Sequence, residues 1–182
     1  GSEYVFGLNA ILSLAAGFVI MRWRREHTVN PLGRERLSSA IRVGVQFVKQ
    51  SRRLQGVLVR ISLFFLHSTA LLALLPLVAR GLQGGGAGTF TLLLAAMGAG
   101  AILAALSMQR IRQFISHERL LLAGAMLQAA GTLAVAWAPS VYLAVPAMFF
   151  AGIAWISVAN SLTVAAQMAL PDWVRARGMS IY

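Results

Sequence analysis

The polar residues that could do chemistry in this chain are few, and most stand among apolar neighbours. His67 lies beside Ser68 and Thr69 within the apolar stretch Val57–Ala79. An imidazole titrates near physiological pH, so in a cavity it could carry a proton or touch a substrate. Against a neighbouring helix it would instead be a neutral hydrogen-bonding group. Further along, Ser157, Asn160, Ser161, Thr163 and Gln167 form the richest polar set. Asn160, Thr163 and Gln167 are three and four residues apart, so they share one helix face. Such a stripe either lines a water-filled path or hydrogen-bonds to a partner helix. We assign His67, Ser68, Asn160, Thr163 and Gln167 to a substrate cavity. Gln128 and Thr132 are a smaller set suited to joining helices, and Trp155 could stack on an aromatic ligand or fill a core.

Other chemistries find no support. All five acidic residues (Glu3, Glu26, Glu35, Glu118 and Asp172) lie in loops or at the ends of apolar stretches. A carboxylate inside the membrane is the usual proton carrier of pumps and transporters, so any proton coupling would need another group or another part of the protein. His27, His67 and His117 lack a ligand spacing such as His-Glu-x-x-His. No serine sits in a Gly-x-Ser-x-Gly elbow. We therefore expect no enzyme, no catalytic residue, no metal and no cofactor. The absence of Cys excludes disulfides and thiol chemistry. The glycine-rich run from Gly81 to Gly88 lacks the Lys-Ser/Thr pair and the preceding strand of a phosphate-binding loop, so it reads as a hairpin turn.

The elements that must position these residues are apolar helices. Five stretches stand out: Tyr4–Met21, Val57–Ala79, Phe90–Met108, Leu120–Trp137 and Tyr142–Ala169. Each is long enough, at about 1.5 Å per residue, to cross a hydrocarbon core roughly 30 Å thick. Threading the chain back and forth puts fifteen of the sixteen Lys and Arg residues on one side and only Arg80 on the other. The crowded side is then cytoplasmic, with the first residue outside and the last inside. With 58% hydrophobic and 12% charged residues, the composition excludes an ordinary soluble domain. The net charge of +11 does not indicate nucleic-acid binding, because the basic residues cluster between spans, where anionic headgroups attract them. The expected class is all-α, a polytopic helical membrane protein.

Three parts follow: a span at 1–21, a basic segment at 22–56, and four spans in 57–182. The basic segment opens with an Asn30-Pro31-Leu32-Gly33 turn and continues as an amphipathic helix, Leu37 to Gln55. With apolar positions Leu37, Ile41, Val45 and Val48 at helical spacing, it either lies on the inner leaflet or is a solvated linker helix. Gln109–Arg119 and Asp172–Arg177 read as loops on the basic side, and Gly178 onward as the start of another span. Ala96, Gly100 and Ala104, and likewise Gly124 and Gly131, place small residues on single faces where helix backbones can approach. Pro146 and Gly152 are expected to kink the last span. The abrupt ends suggest a piece of a larger protein, whose remainder would be a partner.

Phe6-Gly7-Leu8-Asn9-Ala10, Val45-Gln46-Phe47-Val48-Lys49-Gln50-Ser51 and Leu170-Pro171-Asp172-Trp173-Val174-Arg175-Ala176-Arg177 resemble the transmembrane secretion effectors, a bacterial, enterobactin-exporter-like branch of the major facilitator superfamily. The resemblance implies a partial bundle spanning the sixth to tenth helices. It also implies alternating-access export of small amphipathic molecules, of drug or siderophore type, across the bacterial inner membrane, driven by the proton gradient as an antiporter. The superfamily motif Gly-x-x-x-Asp-Arg-x-Gly-Arg-Arg has its counterpart at 107–119, where Arg110, Arg112 and Arg119 remain but no Asp or Gly does. For these arginines, and for Arg175 and Arg177, the resemblance implies only inner-gate or lipid-headgroup contacts. The rival expectation is a non-transporting scaffold or sensor, whose polar residues would all be paired between helices.

Overall fold

Every regular element among the described residues is an α-helix, as a backbone in hydrocarbon requires, because only its own carbonyls can pair its N–H groups. A computed structural model describes residues 2–23, 37–82 and 85–182. The Asn30-Pro31-Leu32-Gly33 turn, His27, and Gln83-Gly84 of the glycine run lie outside these residues. The helices are α1 (Ser2–Arg22), α2 (Leu37–Gln50), α3 (Arg52–Gly81), α4 (Ala87–Phe114), α5 (His117–Ala136), α6 (Val141–Ala169) and α7 (Asp172–Ile181). Five of them (α1, α3, α4, α5 and α6) are long and apolar enough to cross a membrane.

Several boundaries differ from expectation, each for a local reason. The amphipathic helix stops at Gln50, not Gln55, because Ser51 caps the next helix: its Oγ accepts the Leu54 N–H at 3.3 Å. Gln55 then reaches back, and its Nε2 donates to the carbonyls of Val48 and Lys49 at 3.0 and 2.9 Å. Those are orphan carbonyls at the end of α2. Residues 109–119 are not a loop but two helix ends joined at Ile115-Ser116. Residues 172–177 belong to α7, which Asp172 opens with a carboxylate at the positive end of the helix. Gly178–Ile181, expected to begin another span, continue α7.

The chain divides into two units, 1–36 and 37–182. In the first, α1 shows no distinct apolar face, and the Arg22 guanidinium lies 5.1 Å over the Phe18 ring. In the second, α6 is the central helix, packed on α3, α4 and α5. One core layer joins Leu75 and Ala79 of α3, Leu93 of α4, Val135 of α5 and Ala144 of α6. The other joins Leu54, Val57 and Ile61 of α3 with Val158, Leu162 and Ala166 of α6 and Val174 of α7. Trp155 packs against both layers, and its ring meets Phe65 edge-on at 6.3 Å.

Small residues set the helix spacing. A methyl group on Gly100 would collide with the Phe149 carbonyl, and one on Gly152 with the Met97 carbonyl, so α4 and α6 touch backbone to backbone. Gly152 thus serves as a contact point on a continuous α6. At the basic end, α2 packs on α7. Phe47 meets Trp173 edge-on at 6.1 Å, and Gly44 admits the Arg177 carbonyl and the Ile181 side chain. Val43, Phe47 and Val48 make this packing, whereas Ile41 and Val45 stay exposed. The apolar face expected of α2 is therefore shared between protein and surroundings.

Candidate functional site

The site grows from a glycine pattern in α5. Gly124 and Gly131 stand four residues before and three after Gln128, on the face that packs against α6. A methyl at Gly124 would come within 2.7 Å of Val158 Cγ2, and one at Gly131 within 3.3 Å of the Ala147 carbonyl. The close approach of the two helices buries Gln128 to 1% exposure. Neither its amide nitrogen nor its amide oxygen has a hydrogen-bond partner.

Gln128 lines a cavity of about 360 Å³ between α3, α5 and α6. Leu63, Phe64 and His67 come from α3, Leu121 and Ala125 from α5, and Val158 and Leu162 from α6. Two neighbouring cavities, of about 350 and 370 Å³, share Arg60 and Leu121 with the first, so the three run together as one groove. Toward the helix ends its walls become polar, with Arg52, Arg53, His117, Glu118 and Ser161. The mixture of an apolar wall with a few convergent polar groups is that of a small-molecule site.

His67 is linked across the groove. Its Nε2 lies 3.0 Å from Thr132 Oγ1, and that hydroxyl donates its single proton to the Gln128 carbonyl at 2.9 Å. Thr132 therefore accepts from His67, which assigns the imidazole proton to Nε2 in the neutral ring. Nδ1 is left without this contact. The relay ties α3 to α5 and leaves the Gln128 side-chain amide unused.

The other expected cavity residues sit elsewhere. Ser68 is 2% exposed with an unpartnered Oγ, but it does not line the groove. Asn160 and Gln167 are exposed and line none of the three cavities. Thr163 donates to the Ala159 carbonyl at 2.8 Å and lies 3.1 Å from the Tyr182 hydroxyl. Burial pushes the Tyr182 phenol above its usual range, and the bond to Thr163 partly offsets this. The stripe Asn160–Thr163–Gln167 does share a face, as its spacing requires, but that face is not the groove. Ser161, one position round the helix from Asn160, reaches the groove instead.

The arginines divide by role. Arg110 and Arg119 are exposed. Arg112 is half-buried, and its Nε and Nη2 are enclosed without partners. Arg175 pairs with Asp172 at 2.6 Å and donates to the Leu170 carbonyl at 3.4 Å, fastening the turn between α6 and α7. The Arg177 carbonyl accepts from Ser180 Oγ at 2.7 Å. Two groove residues that sequence reading left out of the cavity are Arg60 and Gln128. Arg60 lies within the apolar stretch Val57–Ala79 and stands two turns inside α3. The signal for Gln128 was its position between glycines, Gly-x-x-x-Gln-x-x-Gly.

The sequence model of the family described as transmembrane secretion effector matches residues 1–182. No curated protein and no solved structure matches the chain.

Proposed function

The chain belongs to the transmembrane secretion effector family of the major facilitator superfamily, and from that premise we propose that it acts in secondary active export of small amphipathic molecules. It is a multi-pass membrane protein, with five membrane-length helices among the described residues. In this reading it sits in a plasma (inner) membrane with its basic segments cytoplasmic, and alternating access exposes the groove of α3, α5 and α6 to each side in turn. The proton gradient supplies the energy.

The observation that carries the reading is Gln128. A scaffold would pair its polar side chains between helices, since an unpaired amide in an apolar interior costs about 1–3 kcal/mol. Here one hydroxyl relay does join α3 to α5, yet the amide beside it remains unpaired, enclosed within the wall of the cavity that Gln128 lines. A ligand that offers one donor and one acceptor completes it. His67 supplies the proton step. Uptake at Nδ1 adds a positive charge to the cavity wall while the Nε2 link to Thr132 persists, and no membrane carboxylate is required.

The test is efflux of a fluorescent amphipathic dye from proteoliposomes under an imposed pH gradient. The expected result is gradient-driven flux that falls at least about tenfold in Gln128→Leu, from loss of a bound-state hydrogen bond. His67→Gln keeps a donor to Thr132 but cannot carry a proton. We expect it to retain downhill dye movement and lose acceleration by the gradient. Full gradient response in His67→Gln would remove His67 from the coupling step, and unchanged flux in both variants would overturn the site.

A further inference from the structure

The outer part of the groove carries more positive charge than a neutral amphipathic ligand needs. Arg52, Arg53 and Arg60 face it against a single carboxylate, Glu118. None of these four residues is ion-paired among the described residues. Arg60 is the telling one. It stands eight residues into α3, about 12 Å along the axis, inside a helix of membrane-spanning length and composition. A 30-residue helix is about 15 Å longer than a hydrocarbon core, so Arg60 lies near one membrane interface, where its exposed guanidinium can meet an acid group in the groove. Arg60 borders all three cavities, and seven residues further, about 10 Å on, His67 faces Gln128 across the groove.

We propose that this groove binds an anionic amphiphile. Its acid group lies on Arg60, its apolar body runs along Leu63, Phe64, Leu121 and Val158, and a polar end about 10 Å from the acid reaches the wall that His67 and Gln128 line. The proposal rests on the transporter reading and names the substrate class of the same cavity. Charge complementarity argues for the acid, since three guanidiniums outnumber one carboxylate. The apolar side chains along one stretch of the groove, with charge confined to its end, argue for an amphiphile with a single acid group. The occupant is a free amphiphile, and anionic lipid of the surrounding bilayer is the competing source of the same acid chemistry. Glu118 opposes the acid and sets an upper limit on its affinity.

The test uses the protein in nanodiscs of zwitterionic lipid, with a dansyl-labelled medium-chain carboxylate and its methyl ester as probes, read by fluorescence and without any gradient. The acid is expected to bind about tenfold more tightly than the ester, the scale of one charge-assisted hydrogen bond. Arg60→Gln should erase that preference while the ester still binds, which shows that the variant is folded. Arg60→Lys should keep most of it, and Glu118→Gln should tighten acid binding. Equal binding of acid and ester by the unaltered protein would overturn the proposal, as would a preference that survives Arg60→Gln. Displacement of the probe by a few mole per cent of anionic phospholipid would assign the groove to lipid headgroups and overturn it too. Acid preference without efflux would count against the transporter reading alone, and efflux without acid preference against this proposal alone.

Discussion

The Gln128 amide is enclosed by protein and paired to nothing, an arrangement that costs stability. Replacing it by leucine exchanges an unsatisfied polar group for an apolar one of similar size. The expected outcome is a gain in stability of about 1 kcal/mol together with weaker ligand binding. Reversible unfolding in mixed micelles, run beside dye binding, reads both. A loss of stability would mean that the amide is already satisfied within the fold. Gln128 was visible in the sequence as a polar residue, but its partner-free state was not. That depends on which atoms of α3 and α6 come near it, and helical periodicity within α5 carries no such information.

At the scale of elements, α6 is held to α4 by backbone contact at two reciprocal glycines. Gly100→Ala and Gly152→Ala each press a methyl against a carbonyl of the other helix and should cost at least about 1–3 kcal/mol. Gly98 has nothing within 4 Å of an added methyl. Gly98→Ala should therefore be neutral or stabilise by up to about 1 kcal/mol, through the better helix propensity of alanine. Thermal unfolding of the three variants checks the contrast, and equal effects would mean that α4 and α6 are further apart. The small-residue stripe of α4 was legible from its spacing of four. Which helix it met was not, since any of the others could have filled that contact. The same holds for α2: its amphipathic pattern was evident, but the choice of Val43 and Phe47 over Ile41 for packing came from α7.

For the whole molecule, the distribution of basic residues predicts a topology that a chain without cysteine makes easy to test. Ser116→Cys, at the α4–α5 turn, should react with an impermeant maleimide only from the cytoplasmic side. Ser140→Cys, at the α5–α6 turn, should react only from outside. Labelling of right-side-out and inverted vesicles gives the answer, and reaction of both from one side would overturn the threading. The described bundle suits this arrangement. The start of α3, the start of α5 and the end of α6 meet around one cavity, as antiparallel neighbours must. Exposed Trp137 and Tyr142 stand near the opposite end, where amphipathic rings favour the membrane interface.

Sequence alone determined the helical class, the five apolar spans and the family, because these rest on properties that each segment carries by itself: hydropathy, length, charge at the ends and short local motifs. It also made the polar residues countable. Only the tertiary structure decided which of them share a cavity. A rotation of α6 by a single residue, about a quarter of a turn, separates Asn160 on an exposed face from Ser161 in the groove. Helix rotation is set by where Gly124, Gly131 and Gly152 let neighbouring backbones touch, and those contacts join residues far apart in the chain. Arg60 shows the same dependence: a basic residue near a span end in sequence becomes a cavity wall only when α5 lies opposite it.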